Sequence, residues 1–376
     1  MTPTELDPTP EGDPLPAPAA TVDEFAERVF AAVLGAQEVQ AMYLGDRLGW
    51  YRALADRGPL TSAGLAEATG SDERYAREWL EHQAAAAYVT VDDVAAPSAV
   101  RHYALPPAHA TVLADEDSLA YLAPIARAVA AFGRSIGELA DAYRSGTGVS
   151  WDDMGDDARE AQADANRPMF LHALGQDLLP AAPEVHARLQ RAARIADVGC
   201  GFGWSSVGLA GAYPQAEVHG FDVDAPSVRR AEANAAGAGL ADRVTFTLAD
   251  GKDADQAADA GTYDAAFAFE CIHDMPDPVS TLARMRELVA EDGVVVVMDE
   301  RTEPTFQAPA GPLERLLYGF SLTCCLPDGM SGTPTTATGT VMRPETLEKY
   351  AKQAGYTSVA ALPIPHDTFR FYELVK

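Results

Sequence analysis

Glycines at Gly199, Gly201 and Gly203, with Cys200 and Phe202 between them, follow the apolar run Arg194-Ile195-Ala196-Asp197-Val198 and precede Trp204-Ser205-Ser206-Val207-Gly208-Leu209. Glycine lets a backbone turn sharply and come close to a ligand, so a strand, glycine loop and helix in succession read as a ligand cradle. The spacing separates it from the dinucleotide fingerprint: Gly203 comes two residues after Gly201, where that fingerprint places three. Three carboxylates extend the cradle. Asp197 stands just before the loop, where it can brace the turn and meet an ammonium group directly or through water. Asp222 closes the second strand, 23 residues after Gly199, where an acid accepts from both hydroxyls of a ribose. Asp250, followed by Gly251, ends the third strand and can accept from an exocyclic amine. Any one of these acids alone is more simply a helix cap or a solvated turn. Four elements in register, at strand ends that share one crevice, make a site.

A second set of reactive residues lies downstream. Phe267-Ala268-Phe269-Glu270-Cys271-Ile272 runs into His273-Asp274-Met275-Pro276-Asp277-Pro278, and the run from Val294 ends Asp299-Glu300. A phenol or alcohol holds its proton at neutral pH, and a neighbouring imidazole is the natural base to remove it. Adjacent strands lie about 4.8 Å apart, so Glu300 could reach and orient His273. The plainer reading is that His273-Asp274 caps the helix starting near Pro278. An acceptor already ionised would need no base, and proximity alone could then suffice. Among the other histidines, His82, His102, His109 and His186 fall in scaffold segments, and His219 sits on a strand away from the crevice. His172, and His366 in the turn between the last two strands, could touch an acceptor but are weaker bases.

The elements that must position these groups change character along the chain. Residues 1–20, rich in Pro and Thr, read as a disordered leader. Thr21 to Gly58 carries helical apolar spacing. A helix over Ala63–Thr69, a turn at Gly70-Ser71-Asp72, a helix over Glu73–Ala87 and strands at Tyr88–Val91 and Arg101–Leu105 then make a winged-helix pattern. Residues 117–190 are helical again, broken near Gly146–Gly148. From Arg194, short apolar strands alternate with helices, the texture of a parallel sheet. Strands are expected at Arg194–Val198, Glu217–Phe221, Val244–Leu248, Tyr263–Phe269 and Gly293–Asp299. A closing antiparallel pair is expected at Ser358–Leu362 and Arg370–Val375. Thr302 to Thr340 is long for a connection, which suggests function. It reads as a lid, with a helix over Pro312–Leu322 and a loop from Gly329 to Gly339.

Charge narrows the partners. With 28 Lys and Arg against 56 Asp and Glu, the net charge of −28 disfavours phosphate backbones and anionic membranes alike. Over residues 41–115 there are ten acids and six bases, and the would-be recognition helix carries Asp72, Glu73, Glu78 and Glu81 against Arg74 and Arg77. Phosphates would repel it, so the winged helix reads as a scaffold for packing on a partner subunit. Cys200, Cys271, Cys324 and Cys325 have neither metal-ligand spacing nor a disulfide pattern, so no metal is expected. The N-terminus has acids where a signal peptide would have bases, and no apolar run is long enough to span a bilayer; a cytoplasmic protein is expected.

On these residues the chain resembles the class I S-adenosylmethionine-dependent methyltransferases over residues 190–376. With its winged-helix front half, Asp222, Asp250 and the His-Asp pair, it is most similar to bacterial small-molecule O-methyltransferases in which a winged-helix domain precedes the catalytic one. The resemblance implies an α/β fold with a Rossmann-like seven-stranded sheet, order 3-2-1-4-5-7-6 with strand 7 antiparallel. It divides the chain into a leader (1–20), a winged-helix dimerisation domain (21–115), a helical connector (116–190) and a methyltransferase domain (191–376) with its lid at about 302–340. S-adenosylmethionine would be held by Asp197, Gly199, Cys200, Gly201, Gly203, Asp222, Val223, Asp250, Gly251, Phe269 and Glu270, leaving as S-adenosylhomocysteine. His273 would be the base, with Asp274 and Glu300 beside it. The family often places a further acid before the last helix, where this chain has Met342, which cannot orient a His. Trp151, Met169, Phe170, His172, Leu317, Tyr318, Phe320 and His366 would line the pocket of a natural-product acceptor, and the chain would form a homodimer through its N-terminal domain. Transfer to carbon, nitrogen or a carboxylate oxygen, and a ligand-binding winged-helix regulator, are the competing readings.

Overall fold

The computed structural model of the protein describes residues 21–191, 193–249 and 260–376. The expected leader and the pair Asp250-Gly251 lie outside the described residues. Helix α1 (Val22–Arg47) opens on a capping box, Thr21 accepting from the Glu24 amide while Glu24 accepts from Thr21. The helical stretch expected to run to Gly58 is two helices, because Gly49 takes a left-handed φ of +68° and starts α2 (Trp50–Arg57) in a new direction. Then come α3 (Ser62–Thr69) and α4 (Glu73–Ala85), capped by Thr61 and Asp72. Two strands, β1 (Thr90–Val91) and β2 (Tyr103–Ala104), form the wing. They are shorter than expected, pairing only Thr90 with Ala104 and Val91 with Tyr103. Trp50, Tyr51, Leu65, Trp79, Leu80 and Tyr103 fill the core of this domain, and α5 (Pro107–Leu113) closes it.

The connector consists of α6 (Ala123–Arg134), α7 (Ile136–Ser145), the single turn α8 (Trp151–Met154) and the long α9 (Asp156–His172). A π turn over Leu174–Leu178 follows, then α10 (Pro183–Leu189). The C-terminal domain alternates as expected: β3 (Arg194–Val198), α11 (Trp204–Ala212), β4 (Glu217–Asp222), α12 (Ala225–Gly237), β5 (Val244–Leu248), β6 (Tyr263–Phe269), α13 (Pro278–Leu288) and β7 (Val289–Glu300). The segment 302–340 holds α14 (Pro312–Phe320), a π turn over Ser321–Cys325 and α15 (Leu326–Ser331). It therefore stays helical to Ser331, past Gly329 where a loop was expected. The chain ends with α16 (Pro344–Gln353) and the strands β8 (Ser358–Ala361) and β9 (Phe369–Val375).

The sheet order is β5-β4-β3-β6-β7-β9-β8, with β9 antiparallel to both neighbours. Numbered within the domain, that is 3-2-1-4-5-7-6 with strand 7 reversed. Side chains alternate across a strand, and both faces are buried. Ile195, Phe267, Val296 and Met298 pack under α9, α10 and α11, while Ala196, Ala268, Val295 and Val297 pack against α13 and α16. That two-sided burial brings the C-terminal ends of β3, β4, β6 and β7 to one rim. Among the described residues, no helix is long and apolar enough to cross a membrane.

Candidate active site

The glycine loop forms because three residues in succession need backbone that L side chains resist. Gly199, Gly201 and Gly203 have φ of +74°, +52° and +75°. Space compounds the requirement at two of them: a Cβ on Gly199 would lie 2.7 Å from Cys271 Sγ, and one on Gly203 2.6 Å from the Phe246 ring. Gly201 faces open space. The loop is pegged from β4, since Phe221 O accepts from the Gly199 and Cys200 amides at 2.8 and 3.1 Å, and Asp222 Oδ2 accepts from Gly201 N at 2.7 Å. Asp222 Oδ1 takes the Asp224 amide at 2.9 Å. Burial raises the pKa of Asp222 despite these donors.

Beneath the loop, Asp197 is fully buried, and its Oδ2 accepts from the Ser205 and Ser206 hydroxyls at 2.6 Å each. Burial, against those two hydrogen bonds, lifts its pKa to about 6. Its other oxygen has no partner in the structure. Asp197 thus ties the loop to the first turn of α11. A cavity of about 280 Å³ opens beside the loop, lined in part by Gly199, Asp222, Val223, Ala249 and Pro276. A glycine floor, a carboxylate wall and an apolar edge suit a nucleoside. Cys200 is buried, whereas Val223 is two-thirds exposed at the rim.

At the next strand end, Phe269 stacks on Phe267 and meets the Phe170 ring edge-on at 5.4 Å. Glu270 follows in the left-handed region, φ +54°, a strained position for a residue with a Cβ. Its Oε2 accepts from Asn166 Nδ2 at 2.5 Å. Burial, partly offset by Asn166, His273 and Gln162, raises its pKa. The short turn after it buries His273 at 2% exposure.

His273 sits in a cage of carboxylates. Nδ1 lies 2.8 Å from Asp299 Oδ1 and 3.0 Å from Glu300 Oε2, and Nε2 lies 3.2 Å from Asp274 Oδ1. Burial pulls the imidazole pKa down, but Asp274, Asp299 and Glu300 outweigh it and hold it well above the ordinary range. Burial and the Asp299 charge raise Glu300, while Asp299 is held low because the imidazolium and the hydrogen bonds from His273 and Glu300 together outweigh its burial. Asp299 is thus the nearest carboxylate to Nδ1 and is held low, while Glu300 beside it is pushed toward its neutral form. Asp299 was not among the residues singled out in sequence; its signal was the acidic doublet ending a buried strand. The donors of His273, Asp299 and Glu300 lie within 4.8 Å of one another, as do those of His273, Asp274 and Cys325, near enough to hold a cation. Each set draws on segments far apart in the chain, which linear metal-ligand spacing does not register.

The expected acceptor residues divide. Met169 and Phe170, in the last turn of α9, are buried in the main core, and the Phe170 carbonyl sits where a Cβ on Gly208 would be. Trp151 and Phe320 pack on a separate cluster with Cys324 and Cys325, and Phe320 meets Phe132 edge-on. The Trp151 amide donates to Asp328 Oδ1 at 2.8 Å, tying α8 to α15. Asp328, another acid not foreseen, is pushed to about 7 by burial and by Asp274. Leu317 is buried on α14, and the Tyr318 hydroxyl lies 3.2 Å from Arg343. His172 turns outward to Asp117, 3.3 Å away, and is not brought to His273. His366 is spent locally, Nδ1 accepting from the Thr368 and Phe369 amides. In the winged-helix domain, the cations of α4 are already paired with acids one turn away, Arg74 with Glu78 and Arg77 with Glu73, which leaves little to meet a phosphate.

Comparison with known proteins agrees with this geometry. Residues 189–316 match the family described as a methyltransferase domain, and residues 39–115 match the Rv2258c-like winged HTH domain. A probable chloroplastic tocopherol O-methyltransferase of Oryza sativa subsp. japonica is 34% identical over 140 residues, covering 36% of this chain and 38% of that protein. The match thus spans well under half of that relative. Among solved structures, the mitomycin 7-O-methyltransferase MmcR superposes with a TM-score of 0.69 at 22% identity, covering 94% of this chain and 98% of that one. Human N-acetylserotonin methyltransferase in complex with SAM gives 0.68 at 17% identity, covering 95% and 99%. At such identities the likeness is one of fold. The chain thus carries a stretch that matches a winged helix-turn-helix domain ahead of one that matches a methyltransferase domain, in the fold of the methyltransferase structures it superposes on.

Proposed function

We propose that the protein transfers a methyl group from S-adenosylmethionine to a hydroxyl oxygen of a small-molecule acceptor. The observation that carries this reading is the convergence, on one sheet rim, of the glycine loop with Asp222 and the caged His273. The bound cofactor would supply an electrophilic methyl on a sulfonium, and S-adenosylhomocysteine would leave. Gly201 and Asp222 would hold its ribose end, and Glu270 would face its cationic end. Asp299 ties Nδ1 of His273, so Nε2 is the nitrogen left to accept the hydroxyl proton. Asp274, a third exposed, is the carboxylate that must yield Nε2 to the acceptor. The net charge of −28 favours a neutral or cationic acceptor.

A raised imidazole pKa has a testable sign. Protonated His273 cannot accept a proton, so kcat/KM should rise with pH and level off only on the alkaline side of an ordinary histidine. Asp274→Asn removes one of the charges that stabilise the imidazolium, so the rising limb should move to lower pH. A limb unmoved by that change would remove His273 from proton transfer and favour an acceptor that needs no base.

The same reading includes a homodimer. Phe25, Val29, Phe30, Val33 and Leu34 on α1 are about half exposed or more and share a seam. That seam runs on to an apolar groove of about 620 Å³ between α1 and α4, lined by Ala41, Leu44, Leu48, Tyr75 and Trp79. Light scattering should give twice the chain mass for the protein and the chain mass for Phe30→Asp. A wild-type mass of one chain refutes the dimer.

A further inference from the structure

Helix α9 has two polar stripes of the same pitch. Arg159, Gln162 and Asn166 follow the i, i+3, i+7 spacing of one helix face, and Asp157, Glu160 and Asp164 follow it two residues out of step, close to the opposite face. The inner stripe meets the crevice at both ends. Arg159 grips Asp224 with a fork, Nε to Oδ2 and Nη2 to Oδ1, both at 2.9 Å, and Asp224 donates its amide to Asp222. Two turns on, Asn166 donates to Glu270, with the Gln162 amide beside it. The outer stripe meets the N-terminal domain. Asp157 accepts from Tyr43 at 2.7 Å and pairs with Arg47 at 2.9 Å, Glu160 pairs with Arg47 at 2.6 Å, and Asp164 pairs at 2.6 Å with Arg127, which also grips Asp46.

We propose that α9 is a clamp on the cofactor crevice: Arg159 and Asn166 are positioning residues for the Asp222–Asp224 loop and for Glu270, and their helix couples cofactor affinity to the docking of α1. Arg159 is only 5% exposed, so its fork is held away from competing water. Glu270 has a strained backbone, and without Asn166 nothing on α9 but the Gln162 amide would aim its carboxylate. Since the two stripes share one rigid helix, a shift of the outer stripe moves the inner one. Linkage then requires that cofactor binding tighten the α1 contact in return.

The inference rests on the crevice being the S-adenosylmethionine site, and calorimetric titration of the full chain separates the two. Wild-type protein that binds no S-adenosylmethionine defeats the site itself. If wild type binds, Asn166→Leu and Arg159→Ala should each weaken the cofactor about tenfold or more, with Arg159→Lys recovering part of the loss. The double variant Tyr43→Phe/Arg47→Met, remote from the crevice, should weaken it about fivefold. Amide exchange of the wild-type chain gives a readout free of mutation: added S-adenosylmethionine should slow exchange in α9 and in the last turns of α1. Variants that unfold at the wild-type temperature yet bind as wild type does overturn the clamp, as does a wild-type exchange pattern in which α1 ignores the cofactor.

Discussion

His273→Ala should lower kcat for methyl transfer by about 100- to 10,000-fold, the usual contribution of a positioned acid–base group, while S-adenosylmethionine binding stays intact. The expectation follows from where the ring is held. Its Nδ1 is fixed by Asp299 at 2.8 Å, and among the described residues the carboxylate on Nε2 is the partly exposed Asp274. The ring is thus oriented and shielded, with one nitrogen directed toward the acceptor side. His273 touches neither the glycine loop nor Asp222, so the variant should separate chemistry from cofactor binding. The buried Asp299 loses its counter-charge in this variant, and His273→Gln, which keeps a polar group in the cage, is the companion control. Near wild-type turnover in either variant would mean that proximity alone drives the reaction.

Asp222→Ala should weaken S-adenosylmethionine binding by at least about 100-fold. Hydrogen bonds to a charged group contribute about 1.5–3 kcal/mol each, and the ribose would use two, so the loss spans roughly two to four powers of ten. The variant also frees the Gly201 amide, which donates to Asp222 Oδ2 at 2.7 Å, so the loop loses its peg along with the ligand contact. Asp222→Asn keeps the shape but replaces an acceptor oxygen by a donor and should fall between the two. Titration calorimetry checks both, and an unchanged affinity in Asp222→Ala would place the ribose elsewhere.

The parts of this site that could be read from sequence are those whose physics is local. A glycine loop must lie in contiguous residues, because only neighbours share the sharp turn; Gly199, Gly201 and Gly203 do take left-handed φ. The strand periodicity from Arg194 to Val375 likewise reports burial on two faces, and the observed strands fall within a few residues of the expected ones. What was not legible depends on pairs far apart in the chain. Asp299 rather than Glu300 is the carboxylate held low beside His273, a choice made by burial and mutual charge at the strand end. Asn166 and Arg159 carry no signal of their own in sequence, since polar residues at helical spacing ordinarily mark a solvent face; only the tertiary fold turns one such stripe inward. His172 failed for the converse reason. It stands two residues after Phe170 on α9 and so projects away from the crevice, toward Asp117.

The measurement closest to the central claim is a calorimetric titration of the wild-type chain with S-adenosylmethionine. The account predicts one cofactor per chain with a micromolar dissociation constant, competed by S-adenosylhomocysteine and carried by the crevice at the ends of β3, β4 and β6. Folded protein that gives no heat and no competition would contradict it, because a glycine loop pegged by Asp222 beside an open cavity would then serve some other ligand.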